Sequence, residues 1–363
     1  MNELSIALRD APLILKGIYE YNIASRFGPL PPHEWLFPVT YRCNARCIMC
    51  NIWQASHANE LSVEEWDAVL DERFFGTVQS VSLTGGEPTL REDLPQLTQL
   101  LLRKLPALRR LTITTNALGT ARVVHQCQQI AELCQARGIG LFVGISVDGI
   151  GAVHDEMRGI PGAFSRVIAT IAELRRLEVR KLRLGINCTL TRRNLHDAEN
   201  VRRWCAEQGL PADFIVASFT ESYYGNVESE SDLAFTDEQR PQLAAFLKQL
   251  SAHKSLGNPA ACFYADAARM LLHGAARTTP CVFQKDGFIL DARGDMQYCM
   301  LSRVLGNVRE RQAGEIYFAA ESLAHRREIL ARACRDCTIT CFLEVGVAKD
   351  ACKYVRFLLE RGP

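Results

Sequence analysis

The first 28 residues of this 363-residue chain hold no long apolar run, because Glu3, Arg9, Asp10, Lys16, Glu20 and Arg26 interrupt it. A secretory signal needs 7–15 consecutive apolar residues and a membrane span needs about 20, so neither is expected there. Net charge of one sign is also lacking. Forty-two Lys and Arg stand against 41 Asp and Glu, a balance of +1. No long-range field is then available to gather nucleic acid or an anionic membrane, and neither is expected as a partner. Self-similarity at a solenoid period and low-complexity tracts are missing, which excludes a repeat array. Cysteine, by contrast, is abundant, with 14 residues. With no secretory signal expected, these read as thiols of a reducing, cytoplasmic compartment, and the question becomes which of them hold metal.

The length allows about two or three domains. Residues 1–34 read as an amphipathic helical lead-in, broken by Pro29, Pro31 and Pro32. Beyond it, short apolar runs at 35–40, 78–83, 110–115, 141–147, 181–188 and 212–217 alternate with helical periodicity at 62–70, 94–104, 122–137, 164–177, 195–208 and 235–252. Six strands, each followed by a helix, imply a parallel sheet with right-handed crossovers. The even spacing favours an α/β fold of the partial (β/α)6, TIM-like barrel type over residues 35–255. Seven of the 14 cysteines fall within 262–363, which points to a small C-terminal domain stapled by metal.

Cys43-x3-Cys47-x2-Cys50 lies directly after the first strand. Three thiolates on one short loop can ligate three irons of a cubane and leave the fourth iron open. An open position is what a catalytic metal needs, whereas a structural site is closed. The other reading of this loop is a zinc site completed by a distant ligand. Gly85-Gly86-Glu87-Pro88 closes the second strand. Its glycines allow a close backbone approach to a ligand, and Glu87 can either accept from an ammonium group or brace the loop. Loops that follow parallel strands gather at one end of a barrel, so the two motifs face one mouth.

These paired motifs, about 35 residues apart, resemble the radical S-adenosylmethionine (SAM) superfamily. The resemblance implies a [4Fe–4S] cluster on Cys43, Cys47 and Cys50, whose open iron chelates the amino and carboxylate groups of SAM. One-electron reduction then yields a 5′-deoxyadenosyl radical that takes hydrogen from a substrate. Met49 stands where an aromatic residue is usual. Ser146-Val147-Asp148-Gly149 and Arg158-Gly159 resemble the subgroup with a C-terminal SPASM or twitch domain. That implies Ser146 near the SAM ribose and Arg158 on its carboxylate, with Gly85, Gly86, Glu87 and Asn116 completing the SAM site. His154 and Asp155 read as closing the loop.

Residues 291–295 read as the turn of a hairpin that would bring Cys281 and Cys299 together at its base. Cys334-x2-Cys337 adds two thiolates, and Cys341 and Cys352 follow. The pattern resembles the one-cluster twitch domain and implies a second [4Fe–4S] cluster on Cys281, Cys299, Cys334 and Cys337, with Cys341 the alternate ligand. Cys127, Cys134 and Cys205 have the helical spacing of core residues. Cys188 and Cys262 are read as packing residues, the other possibility being a hydrogen-atom donor at the mouth.

The expected function is a radical SAM enzyme that oxidises or epimerises a small sugar- or alcohol-like natural product, served by a flavodoxin- or ferredoxin-type electron donor. The alternative is maturation of a ribosomally made peptide. The few residues before the first strand leave no room for a peptide-recognition domain of ordinary size, which tilts the expectation to the small molecule.

Overall fold

The computed structural model describes residues 15–255, 258–340 and 342–359. They fall into two units, one of residues 32–235 and 287–329, the other within 1–31, 236–286 and 330–363. This differs from the C-terminal domain expected over 262–363, because residues 287–329 fold with the barrel.

The larger unit is built on a nine-stranded sheet in the order β6-β5-β4-β3-β2-β1-β7-β8-β9. Its strands are β1 (Glu34–Thr40), β2 (Ser80–Gly85), β3 (Arg110–Thr115), β4 (Gly140–Ser146), β5 (Leu182–Leu190), β6 (Ala212–Val216), β7 (Gly287–Leu290), β8 (Asp295–Gln297) and β9 (Gly306–Asn307). From β1 to β6 every strand is parallel to the next one in sequence. The order never reverses, so right-handed crossovers place all the helices on one face. A doubly wound sheet would need a switch point. This is the singly wound sheet of a partial barrel, as the even spacing suggests. The hairpin extends it, with β7 parallel to β1 and β8 antiparallel to β7. Gly294, at φ +88°, makes the expected turn.

The crossover helices are α1 (Val63–Val69), α2 (Leu94–Lys104), α3 (Thr120–Ala136), α4 (Ala152–Arg158) and α5 (Ala163–Arg175) before β5, then α6 (Ala198–Gln208). Helix α1 opens with a capping box, in which Ser62 accepts from Glu65 N and the Glu65 side chain accepts from Ser62 N. Helix α4 has no counterpart among the helices expected from periodicity, since seven residues make too short a repeat to stand out.

Alternation along the strands gives the sheet two unlike faces. The helix-covered face carries Trp35, Phe37, Val81, Leu83, Ile113, Val143 and Ile145, all fully buried. Trp35 stacks on Phe37 at 4.4 Å and on Phe288 of β7 at 5.6 Å, and Trp66 of α1 meets Phe37 edge-on at 4.8 Å. The indole N–H of Trp35 donates to Leu290 O at 3.0 Å, fastening β7 to β1. The opposite face carries Ser82, Thr84, Thr112, Thr114, Asn187 and Thr189, which are half-buried. The Phe142 ring on this face lies over Gly185, where a Cβ would meet it at 2.4 Å. The barrel's inner wall is therefore polar and accessible above an aromatic floor.

The smaller unit contains helices Arg240–Ser251, Ala260–His273, Leu343–Lys349 and Ala351–Leu359. Ala261, Cys262, Val347, Tyr354 and Phe357 form its apolar cluster. Asp286 and Lys349 pair at 2.5 Å in its interior. It thus has a core of its own besides any metal. Cys341 and residues 1–14 of the lead-in lie outside the described residues. Among the described residues no helix is long and apolar enough to cross a membrane.

Candidate functional site

The expected residues of the first site all lie in the larger unit, at the carboxyl ends of β1 to β4. Cys43, Cys47 and Cys50 sit on the loop after β1 and are half-buried. Two neighbouring segments hold that loop through main-chain bonds. On one side Gly86 N donates to Thr40 O at 2.8 Å and Glu87 N to Arg42 O at 2.7 Å; on the other, Arg46 N donates to Arg158 O at 2.9 Å and Ile48 N to Met157 O at 3.1 Å. The glycines make this possible. A Cβ on Gly86 would stand 2.1 Å from Arg42 O, one on Gly85 2.3 Å from Thr40 O, and one on Gly159 2.2 Å from Arg46 O. Gly85 and Gly86 therefore admit the cysteine loop itself.

Glu87 takes the bracing role. It is 1% exposed and accepts from Thr89 Oγ1 at 2.6 Å, Thr115 Oγ1 at 2.8 Å and Asn116 N at 2.7 Å. Burial pushes its carboxyl up, against the pull of these donors. Asn116, fixed in turn, donates from Nδ2 to Asn44 at 2.8 Å and points the same amide at the Cys43 sulfur at 3.9 Å. Arg158, at the end of α4, pairs with the buried Asp148 at 2.6 Å and reaches the Cys47 sulfur at 3.6 Å. Ser146 ends β4, buried, opposite Asn187 of β5. His154 accepts from Asp148 N at 3.0 Å, and Asp155 accepts from Gly162 N and Phe164 N, so both close this loop. Met49 packs with Met157 and Leu233.

Burial pushes the Cys43 thiol up to about 11 and Cys50 to about 12, and Cys47 also rises. Metal loading here must release protons. The residues fit an iron–sulfur cluster: three thiols on one accessible loop, with the amide of Asn116 and the guanidinium of Arg158 aimed at two of the sulfurs, where hydrogen-bond donors steady thiolate ligands. Among the described residues no group of three or more His, Cys, Asp or Glu side chains is arranged to hold a single metal ion. A cubane instead asks for one thiolate on each of three separate irons.

The segment after β6 is polar and turn-rich, yet it is part of this site. Asn226 is fully buried and donates to Met49 O at 2.8 Å and Ser218 O at 3.0 Å, and Asn51 N donates to Tyr224 O at 2.9 Å. An asparagine in a polar stretch reads as an ordinary turn residue, so nothing in the sequence marked it. Cys188 lies on the helix-covered face, 1% exposed, away from the inner wall. Cys127, Cys134, Cys205 and Cys262 are buried too.

Cys281, Cys334 and Cys337 lie in the smaller unit and are half-buried. The Cys281 sulfur accepts from the backbone at Gln284, and Ile339 N points at the Cys337 sulfur at 3.4 Å. Cys299 follows β8 in the larger unit and is half-buried, its carbonyl accepting from Ser302 N at 3.0 Å. Cys352 is exposed.

Residues 37–205 match the Radical SAM superfamily. The matched segment contains the whole of the first site except the loop after β6. Among curated proteins, the chain is 28% identical over 238 residues to the pre-heme d1 synthase of Dinoroseobacter shibae, covering 65% of this chain and 55% of that one. The chain thus spans about half the length of that relative. It is 25% identical over 308 residues to the PqqA peptide cyclase of Xanthomonas campestris, covering 82% of this chain and 76% of the other. Among solved structures, native anSMEcpe with bound AdoMet and a Cp18Cys peptide aligns with TM-score 0.57 and 18% identity over 81% of this chain and 82% of that one. That likeness shows a shared fold.

Proposed function

We propose that this chain is a radical SAM enzyme acting on a small, polar, sugar- or alcohol-like substrate, in an oxidation or an epimerisation. The observation that carries the reading is the cysteine loop, wedged by Gly86 and Gly159 at the carboxyl end of a barrel whose inner wall is polar. Cys43, Cys47 and Cys50 would hold the first cluster, with SAM bound beside it. A cluster there would supply the single electron that reductive cleavage of SAM and hydrogen abstraction from a substrate require.

The chain's own groups then have defined tasks. Glu87 holds the loops after β2 and β3 together. Arg158 offers a guanidinium that would suit the SAM carboxylate, and Ser146 would lie on the side of the ribose. Thr84, Thr114, Asn187 and Thr189 offer hydroxyl and amide groups to a neutral substrate. Cys281, Cys334 and Cys337 of the smaller unit would hold a second cluster, a group that would supply a one-electron acceptor. A flavodoxin- or ferredoxin-type protein is the expected donor for the first.

The alternative, modification of a ribosomally made peptide, is favoured by the PqqA peptide cyclase relative, which aligns over most of this chain. Peptide amides would suit the same polar wall. The test of the common reading is anaerobic reconstitution, reduction with dithionite and addition of SAM. Release of 5′-deoxyadenosine is expected, and its absence from protein loaded with iron would overturn the proposal.

A further inference from the structure

Arg277 follows the helix Ala260–His273 and has an unusual set of partners. Its Nε donates to Thr279 O at 3.0 Å, and Nη1 donates to Cys337 O at 3.1 Å and Ile339 O at 2.9 Å. The same Nη1 lies 3.9 Å from the Cys337 sulfur, and the guanidinium stacks on Phe263 at 5.0 Å. Its own backbone N–H donates to Arg335 O at 2.7 Å. Carbonyls, a thiol and a ring surround it, and no carboxylate pairs with it among the described residues. Among those residues its charge faces carbonyl oxygens and sulfur. Gln284 supplies a second donor. Its Oε1 accepts from Tyr21 OH at 3.2 Å and from Cys281 N at 3.4 Å, which leaves its amide N–H groups to hydrogen-bond the Cys334 sulfur. All of these residues lie in the smaller unit.

We propose that Arg277, with Gln284, sets the reduction potential of the iron–sulfur cluster held by Cys281, Cys334 and Cys337, by placing a fixed positive charge and an amide donor against its thiolates. The inference rests on the second-cluster reading above. Reduction adds one negative charge to the cluster. A cation and N–H donors at the sulfurs stabilise that form and raise the potential. Arg277 also clamps the loop that carries Cys337 through two carbonyls, so it positions a ligand as well as tuning it.

The test uses the full chain with Cys43, Cys47 and Cys50 changed to Ala, so that only this cluster is read. Iron content and the midpoint from EPR-monitored redox titration are measured together. The parent should hold about four irons. Arg277→Gln should keep them and be at least tenfold less reduced at a fixed potential, a fall of about 59 mV for a one-electron couple. Arg277→Lys, which keeps the charge, should stay close to the parent. A parent without iron would overturn the second-cluster reading, and this proposal with it. Iron retained with an unmoved midpoint in Arg277→Gln would overturn the tuning role alone. Where Arg277→Gln loses iron, Gln284→Glu is read instead. It keeps both acceptor bonds and replaces the donor with a carboxylate, so its midpoint must fall, and an unmoved one refutes the proposal.

Discussion

Replacing Gly86 with Ala adds one methyl group at the tightest point of the first site. The new Cβ would stand 2.1 Å from Arg42 O, 2.7 Å from Arg42 C and 3.0 Å from Tyr41 O. All three are main-chain atoms, so no side chain can swing aside. The loops must part by more than 1 Å to reach ordinary contact, and that breaks the bonds from Gly86 N to Thr40 O and from Glu87 N to Arg42 O. Two buried main-chain bonds at about 1 kcal/mol each, with about 1–3 kcal/mol for overpacking, give roughly 3–5 kcal/mol. A domain stable by about 5–15 kcal/mol survives such a loss, but the cysteine loop is displaced. The control is Gly76→Ala, where the added methyl meets nothing within 4 Å. Urea denaturation and iron content after reconstitution are read on both. Gly86→Ala should fall in stability and lose about four irons, while Gly76→Ala keeps both. A Gly86→Ala protein with the iron and urea midpoint of the parent would refute the wedge.

Reconstituted parent protein should bind about eight irons per chain and the Cys43/Cys47/Cys50→Ala variant about four; a parent that saturates at four would remove the second cluster. Arg158→Ala leaves the buried Asp148 carboxylate without its cation, and should cost about 3–5 kcal/mol of stability. The same variant should bind SAM more weakly by about 1.5–3 kcal/mol by calorimetry with its iron intact, and an unchanged affinity would show that Arg158 serves the fold alone. Burial, helped by the Arg158 charge, holds His154 down at about 3, from an ordinary 6.5. The unfolded chain therefore takes up this proton first, and stability present above pH 6.5 is lost as pH falls towards 3, by about 2 kcal/mol between 6.5 and 5. The His154→Asn variant should show a shallower pH dependence of the urea midpoint; an equal slope would assign the loss to other groups.

Local chemistry was enough to reveal the barrel and the cysteine loop. Strand periodicity, even spacing and the Cys43–Cys50 and Gly85–Pro88 motifs each occupy a few consecutive residues, and parallel strands with short crossovers leave few ways to assemble. The six strands accordingly fall close to their expected places. Roles that depend on distant partners were not legible. Glu87 became a brace because Thr115 and Asn116, beyond a whole crossover, aim donors at it. Asn226 joined the site because the chain after β6 returns to Met49. Residues 287–329 left the expected C-terminal domain because β7 finds an open edge at β1, where Phe288 stacks on Trp35. Arg277 gained meaning only when folding carried Cys337 to it across 60 residues. A sequence records which groups a residue can offer; hydrogen bonds, packing and charge act over a few ångströms, and only the folded chain decides which groups come that close.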